Sequence, residues 1–436
     1  MANTYLQRTF GTPTNRKKWT LSTWVKRSTL GNNQPICSGS SSNNYMYFKT
    51  GSEFSIEEYS GGFQYRLEPT RLFRDTNAFY NIVVAMDTTQ ATADDRIKIY
   101  VNGVQETSFT NRTNPSQNFD TNWNSASAVN QIGRESSNYW GGSMSHFHFI
   151  DGTAYDATAF GEYDANGVWK IKTSPTISEY GNNGFFILKD GNSVTDQSGK
   201  GNNFTVAGGT LTKTEDNPSN VFATWNVLYK NNSTFSNGNT TSASGSSGEF
   251  NSASTLGMSA GKYYMEFKRV SGNYPIFGIV DDIALAEYSN ANMGLGKTGT
   301  TKSIALRLND GKTRVNNVVT TQGGSISNGD IVGVAVDKTT SKIYFSKNGQ
   351  WSNGSGAWDS TTFNASTGAT DVSSILTGDT WFFACGTDTG EASNTFSANF
   401  GNGYFGTTAV SSAGTNASGI GIFEYDVPTG FTALST

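Results

Sequence analysis

Apolar and polar positions alternate along Tyr80–Asp87 (Tyr-Asn-Ile-Val-Val-Ala-Met-Asp) and again, after a polar turn, along Arg96–Gly103 (Arg-Ile-Lys-Ile-Tyr-Val-Asn-Gly). The same arrangement returns far downstream, in Asp330–Asp337 (Asp-Ile-Val-Gly-Val-Ala-Val-Asp) and Lys342–Gly349 (Lys-Ile-Tyr-Phe-Ser-Lys-Asn-Gly). A period of two marks a strand with one buried face and one wet face. Each copy ends on Asn-Gly, which supplies the positive φ values of a type I′ turn. Both therefore read as strand, turn, strand, hairpin, and the first has a turn four residues longer. Ile99, Val101, Ile343 and Phe345 fall on the apolar face and are the expected core residues. A slip of one residue would bury Tyr100 and Tyr344 instead.

Around these ribbons the pattern predicts short strands at Trp19–Arg27, Tyr45–Lys49, Phe54–Tyr59 and Phe63–Leu67, then Val129–Gly133 and Ser143–Ile150. Gly184–Leu188 and Asn203–Val206 close the set. Only Ala157–Phe160 looks helical in this half. Alternation restarts at Gly261–Lys268 and continues through Ile276–Val280, Ser303–Leu308, Trp381–Cys385 and Thr395–Phe400; Gly421–Phe431 reads as a last strand. Strands at roughly ten-residue spacing with Gly, Ser and Asn turns predict sandwiches. The chain is thus expected to be all-β, as two antiparallel β-sandwiches. The expected division is 1–211, a connector at 212–226 interrupted by Pro218, and 227–436. Asn231–Ser254, a Ser/Asn/Gly/Thr tract, is expected to be long loops around a short strand.

Composition supports that class. The 436 residues suit two cores better than one. Charged residues make up 15%, against about 25% typically, and aromatics reach 13%, which suits pleated, half-buried surfaces. The net charge of −4 gives no reason to expect nucleic acid, and Arg16-Lys17-Lys18 is too small a cluster for a phosphate footprint. Cys37 and Cys385, one in each expected domain, read as free buried thiols. No apolar run approaches membrane-spanning length, so membrane insertion is not expected. Met1–Arg8 is polar, so no Sec signal is expected either.

Thr20–Arg27, Tyr80–Asp87, Ile99–Gly103, Ile132–Arg134, Phe149–Gly152 and the Asp196–Asn203 turn (Asp-Gln-Ser-Gly-Lys-Gly-Asn-Asn) resemble the laminin-G-like, concanavalin A-like jelly-roll family. Gly261–Glu266, Gly329–Asp337, Ile343–Gly349 and Ser397–Gly401 resemble a SPRY domain, with Gly403–Gly419 as an insertion relative to a plain SPRY ending. The order of the two, with Phe149–Gly152, Asn217–Thr224 and the terminal Tyr425–Thr436, is similar to structural proteins of marine bacteriophages of the cyanophage type. That resemblance implies a virion protein, tail-fibre-like or otherwise on the particle surface. Its implied partners are other virion proteins and a host-surface receptor or glycan.

Jelly rolls of this class include glucanases, which aim paired carboxylates into one groove from one strand. Glu162-Tyr-Asp and Glu424-Tyr-Asp approach the pattern, but neither carries the second Glu, and one carboxyl cannot serve as both nucleophile and acid. No enzyme activity is expected. His146 and His148 share a strand face and could give two metal ligands, but a zinc site wants a third. No cofactor is expected except calcium, which the jelly-roll resemblance allows; Asp94, Asp95, Asp151 and Asp196 are the candidate oxygen donors, against a reading as Asx-turn residues. Sugar recognition needs exposed aromatic faces beside polar groups. Trp123, Tyr139 and Trp140 on loops of the first domain and Trp351 and Trp358 around a loop of the second are the candidates.

The expected function is therefore non-enzymatic binding at a virion surface. The alternatives are a capsid-decorating or tail-joining module without receptor binding and, less favoured, a carbohydrate-active enzyme. Weak loop contacts gain strength by display in several copies, so a homo-oligomer is expected.

Overall fold

The computed structural model describes residues 3–39, 43–189, 193–231, 233–244, 252–287, 295–297, 302–388 and 393–436. The chain divides into two compact units, Met1–Ser219 and Asn220–Thr436. Both are β structures with almost wholly antiparallel pairing, so the chain is all-β.

In the first unit an eight-stranded sheet runs in the order Phe109–Thr113, Phe63–Pro69, Phe54–Tyr59, Asn44–Phe48, Gln34–Gly39, Val129–Ile132, Tyr5–Thr9, Thr205–Gly208. A six-stranded sheet runs Phe185–Ile187, Gly142–Asp151, Lys18–Arg27, Tyr80–Asp87, Ile97–Val101, Val104–Gln105. One core joins them, with Leu6, Met46, Phe48, Ile56 and Leu67 from the first sheet and Trp19, Ile82, Val84, Ile99 and Phe149 from the second. The second unit repeats the plan. Its seven-stranded sheet runs from Trp225–Lys230 to Val318–Thr321, its ten-stranded sheet is centred on Lys262–Ser271 and Ile331–Asp337, and one core takes residues from both.

Both Asn-Gly turns form as expected: Asn102 and Gly103 have φ of 48° and 83°, and Asn348 and Gly349 have 49° and 77°. Ile99, Val101, Ile343 and Phe345 are all core residues, so the facing is the expected one. Tyr344 is buried as well. Its ring meets Phe363 at 4.8 Å and its hydroxyl donates to the Ala365 carbonyl at 3.0 Å. The wet face of that ribbon is therefore covered by the segment that follows it.

Two expectations are corrected. The Asn231–Ser254 tract supplies strands at Ser233–Ser236, Thr241–Ser244 and Ser252–Ser254, the first two joined by a turn at 237–240; 232 and 245–251 lie outside the described residues. Small hydroxyl side chains pair well here because they are hydrogen-bonded across strands, as Thr241 is to Ser397 at 2.9 Å. Gly421–Phe431 is not a strand. Thr432–Ala433 pairs parallel to the Lys262–Ser271 strand; before it, Ile422 makes a single parallel bridge to Asn402, and Glu424 and Tyr425 are held by the Glu266 side chain.

Candidate functional site

The loop aromatics divide by burial. Trp123 is 3% exposed and leans on Trp19 at 6.1 Å, closing one end of the first core. Trp351 is 6% exposed, with Phe363 at 5.0 Å and Tyr264 at 6.3 Å. Neither presents a face to a sugar, which corrects both expectations: a Trp at the end of a sandwich seals its core. Trp140 is half-buried against Phe48. Trp358 is half-buried over Gly323 and donates from Nε1 to the Gly324 carbonyl at 2.8 Å. Tyr139 is half-buried, and the Arg134 guanidinium lies 5.7 Å from its ring and 4.6 Å from that of Tyr5.

The four aspartates are not brought together, and no group of three or more His, Cys, Asp or Glu suited to a metal occurs among the described residues. Asp151 is buried and takes the backbone N–H of Thr14 (2.7 Å), Asn15 (3.0 Å) and Asn183 (3.0 Å) and the Asn124 amide (2.5 Å). Asp196 takes N–H groups of Phe186, Ser198 and Asn202. Asp94 pairs with Arg112 and Asn114, and Asp95 with Lys98. Asp151 and Asp196, filled by N–H donors, behave as turn and tie residues, the Asx alternative, while Asp94 and Asp95 stay largely exposed in surface ion pairs.

The histidines sit at a bulge. The register of Gly142–Asp151 against Lys18–Arg27 shifts between Ser145 and His148, and His146 has φ of 49°. His148 is buried, stacks on Phe186 at 3.8 Å and shares a hydrogen bond between Nδ1 and the Tyr180 hydroxyl at 2.9 Å. Burial holds its pKa well below the ordinary value, so it is a neutral packing residue. Glu162 lies near Lys172 at 3.9 Å, and Glu424 takes the Ser411 N–H. An open polar cleft of about 780 Å³ includes Glu162 in its lining with Tyr155, Asp156 and Lys172. Its charged groups are internally engaged: Asp156 accepts from Thr158, and Lys172 donates to the Thr158 carbonyl.

One arrangement lies elsewhere, on the eight-stranded sheet. Along Asn44–Phe48, Met46 and Phe48 enter the core, so Tyr45 and Tyr47 point to the opposite face, where both are half-buried. Their rings meet edge to face at 5.2 Å. On the neighbouring strands Ser55, Glu57, Arg66 and Glu68 share that face. Arg66 lies between the two carboxylates, 3.5 Å from Glu57 and 2.8 Å from Glu68. Its guanidinium also stands 4.8 Å from the ring of Phe63, which is 41% exposed. Lys49 and Asn111 complete the partners of Glu68. Burial and the nearby Glu57 carboxylate push the Tyr45 phenol up to about 12 and the Tyr47 phenol higher still, so both hydroxyls keep their protons as donors. Burial disfavours the Glu68 anion, but the hydrogen bonds from Lys49, Arg66 and Asn111 outweigh it and hold its carboxyl below the usual range. An ionised carboxylate is an acceptor, not a general acid. The face thus presents two half-exposed tyrosine rings and the Arg66 guanidinium above Glu57 and Glu68, whose carboxylates are themselves buried and held by these neighbours. It lies outside the expected loop positions because it sits on a strand. The signal was present: two Tyr on the polar side of an alternating strand.

Residues 2–157 match the family described as the concanavalin A-like lectin/glucanases superfamily, Laminin_G_3. No curated protein matches the chain. Among solved structures, the chain is similar to the SPRY domain of human HERC1, at 14% identity over 40% of this chain and 96% of that one, with a TM-score of 0.28. The TRIM65 PSpry domain gives 11% identity, 41% and 91% coverage and a TM-score of 0.30. A Bacteroides ovatus protein provisionally described as carbohydrate binding gives 16% identity, 49% and 59% coverage and a TM-score of 0.35.

Proposed function

We propose that this chain is a non-enzymatic surface protein of a bacteriophage particle, tail-fibre-like, and that its first unit holds a host-surface glycan on the Tyr45–Tyr47 face of the eight-stranded sheet. The observation that carries the glycan reading is that face: a T-shaped tyrosine pair beside Glu57, Arg66 and Glu68 on a rigid sheet. Ring faces take the C–H side of a sugar, while the partly exposed Arg66 guanidinium and the tyrosine hydroxyls can meet its hydroxyls. Sites on regular strands hold such groups with less ordering cost than loops do. The particle setting rests on the likeness of the domain order and of the Tyr425–Thr436 ending to phage structural proteins.

The test is binding of the purified chain to host envelope polysaccharide and to a glycan array, with Tyr45→Ala/Tyr47→Ala beside the wild type. Binding by the wild type and a loss of tenfold or more in the double variant, with unchanged melting, supports the reading. Retained binding in that variant removes the face from the proposal. Absence of the chain from purified particles removes the virion setting.

A further inference from the structure

We propose that Val318–Thr321, the free edge of the seven-stranded sheet in the second unit, pairs with the same strand of a second copy of this chain. The strand forms a hairpin with Lys312–Val315 through Asn316 and Asn317, whose φ values of 48° and 62° define a type I′ turn. A two-residue loop makes Val315 and Val318 a hydrogen-bonded pair, and strict alternation makes Thr313 and Thr320 the next. The Gln322 N–H, donating to the Gly311 carbonyl at 3.0 Å, continues that count. Val319 and Thr321 therefore aim their N–H and C=O groups outward, on the side where no described strand pairs.

All four residues are exposed, Val318 at 68% and Val319 at 41%. Natural edges are blunted by charge, proline, bulges or cover. This one is short, at four residues, but has none of the first three: its residues are uncharged, it lacks proline, and its register is unbroken. Two other free edges are blunted. Phe109–Thr113 carries Arg112 and a register shift, and Trp225–Lys230 carries Lys230 and a register shift.

The occupant follows from symmetry. An antiparallel twofold through Thr320 sets Val319 opposite Thr321 of the partner subunit, and Thr321 opposite Val319 of the partner subunit. These are the residues whose backbone groups point outward, so each pair can exchange both of its bonds. Thr320 faces its own copy. No like charges meet, and β-branched side chains line both strands, the pairing that sheets favour. Lys312 stands beside Thr321 on the adjoining strand, but the strand's own side chains are uncharged, and its outward backbone groups are in phase with those of a second copy about the twofold, so the self-complementary partner is the one it fits. The two seven-stranded sheets would then continue as one across the twofold.

Light scattering and sedimentation on the full chain over a range of concentrations test this. The expected result is a reversible dimer. Val319→Pro removes only an outward N–H and should give a monomer with unchanged melting. Thr320→Lys and Thr320→Glu should each be monomeric, because like charges would meet on the twofold, and an equal mixture of the two should recover dimer that weakens with salt. A monomeric wild type overturns the proposal. So does a dimer that survives Val319→Pro, or a mixture that stays monomeric. None of these results bears on the glycan face of the first unit.

Discussion

Glu266 accepts the backbone N–H of Tyr425 at 2.8 Å, across 159 residues of chain. The same carboxylate takes the N–H of Glu424 at 2.8 Å and the Tyr264 hydroxyl at 3.1 Å. Asn399, at its side, donates to the Ile422 carbonyl and accepts from Gly401 and Gly403. Two buried side chains, with the single Asn402–Ile422 bridge, thus take the place of a strand ladder for the final segment, which is why Gly421–Phe431 stays close to the sheet without forming a strand.

That latch is pH-sensitive. Burial pushes the Glu266 carboxyl up to about 7, although its hydrogen bonds from Glu424, Tyr425, Tyr264 and Asn399 pull the other way. A raised folded pKa means that its favourable contribution is complete below the ordinary value of 4.5 and is lost as pH rises through about 7. The second unit should lose up to about 3 kcal/mol across that window. Thermal unfolding of the full chain from pH 5 to 8 should show the fall, and Glu266→Gln should flatten it. A flat wild-type profile rules the latch out as a titrating element.

The two repeated ribbons carry the cores. Phe345 is 1% exposed and Ile99 is fully buried. Truncating either to Ala leaves a cavity between two sheets that cannot close over it. Phe345→Ala should cost roughly 3–5 kcal/mol and Ile99→Ala roughly 2–5 kcal/mol. Chemical denaturation should show each change in the transition of its own unit. A loss under 1 kcal/mol would mean that the site collapses around the smaller residue.

The ribbons, their Asn-Gly turns and their facing were legible because a strand's period of two and a turn's φ demand are local properties. Asp151 was less so. Its position after His148 gave its parity but not its partners, which come from Thr14, Asn15, Asn124 and Asn183. Burial of Trp123 and Trp351 was hidden for the same reason, since a loop Trp can cap a core or stand clear of it and local sequence is the same in both cases. The Tyr45–Tyr47 face needed the sheet order to bring Glu57, Arg66 and Glu68 alongside.

Lys26 and Asp216 form an ion pair at 3.0 Å with side chains only 4% and 9% exposed. The pair ties the segment around Asp216 to the Lys18–Arg27 strand, within the first unit. Removing one partner takes its counterion from a buried charge, so Lys26→Met or Asp216→Leu alone should cost roughly 3–5 kcal/mol. The double replacement should recover most of that, because desolvation of both charges disappears along with their attraction. A double-mutant cycle by urea denaturation measures it. Additive losses would show that the two side chains act through other partners.

Asp151 separates a structural carboxylate from a cation site. Both of its oxygens are occupied by N–H donors from three segments, so a calcium ion could bind there only by displacing backbone bonds that have no other partner in the core. Melting of the full chain should therefore be unchanged by excess chelator or by millimolar calcium. Asp151→Ala should cost about 3 kcal/mol or more, because bonds to a charged acceptor are strong and their donors would be left buried and unpaired. Asp151→Asn should cost nearly as much, since its amide group turns a donor toward donors. Calorimetry with and without calcium on the wild type and Asp151→Asn distinguishes the cases. A calcium-dependent rise in wild-type melting that the Asn variant lacks would return Asp151 to the cation ligands and overturn this assignment.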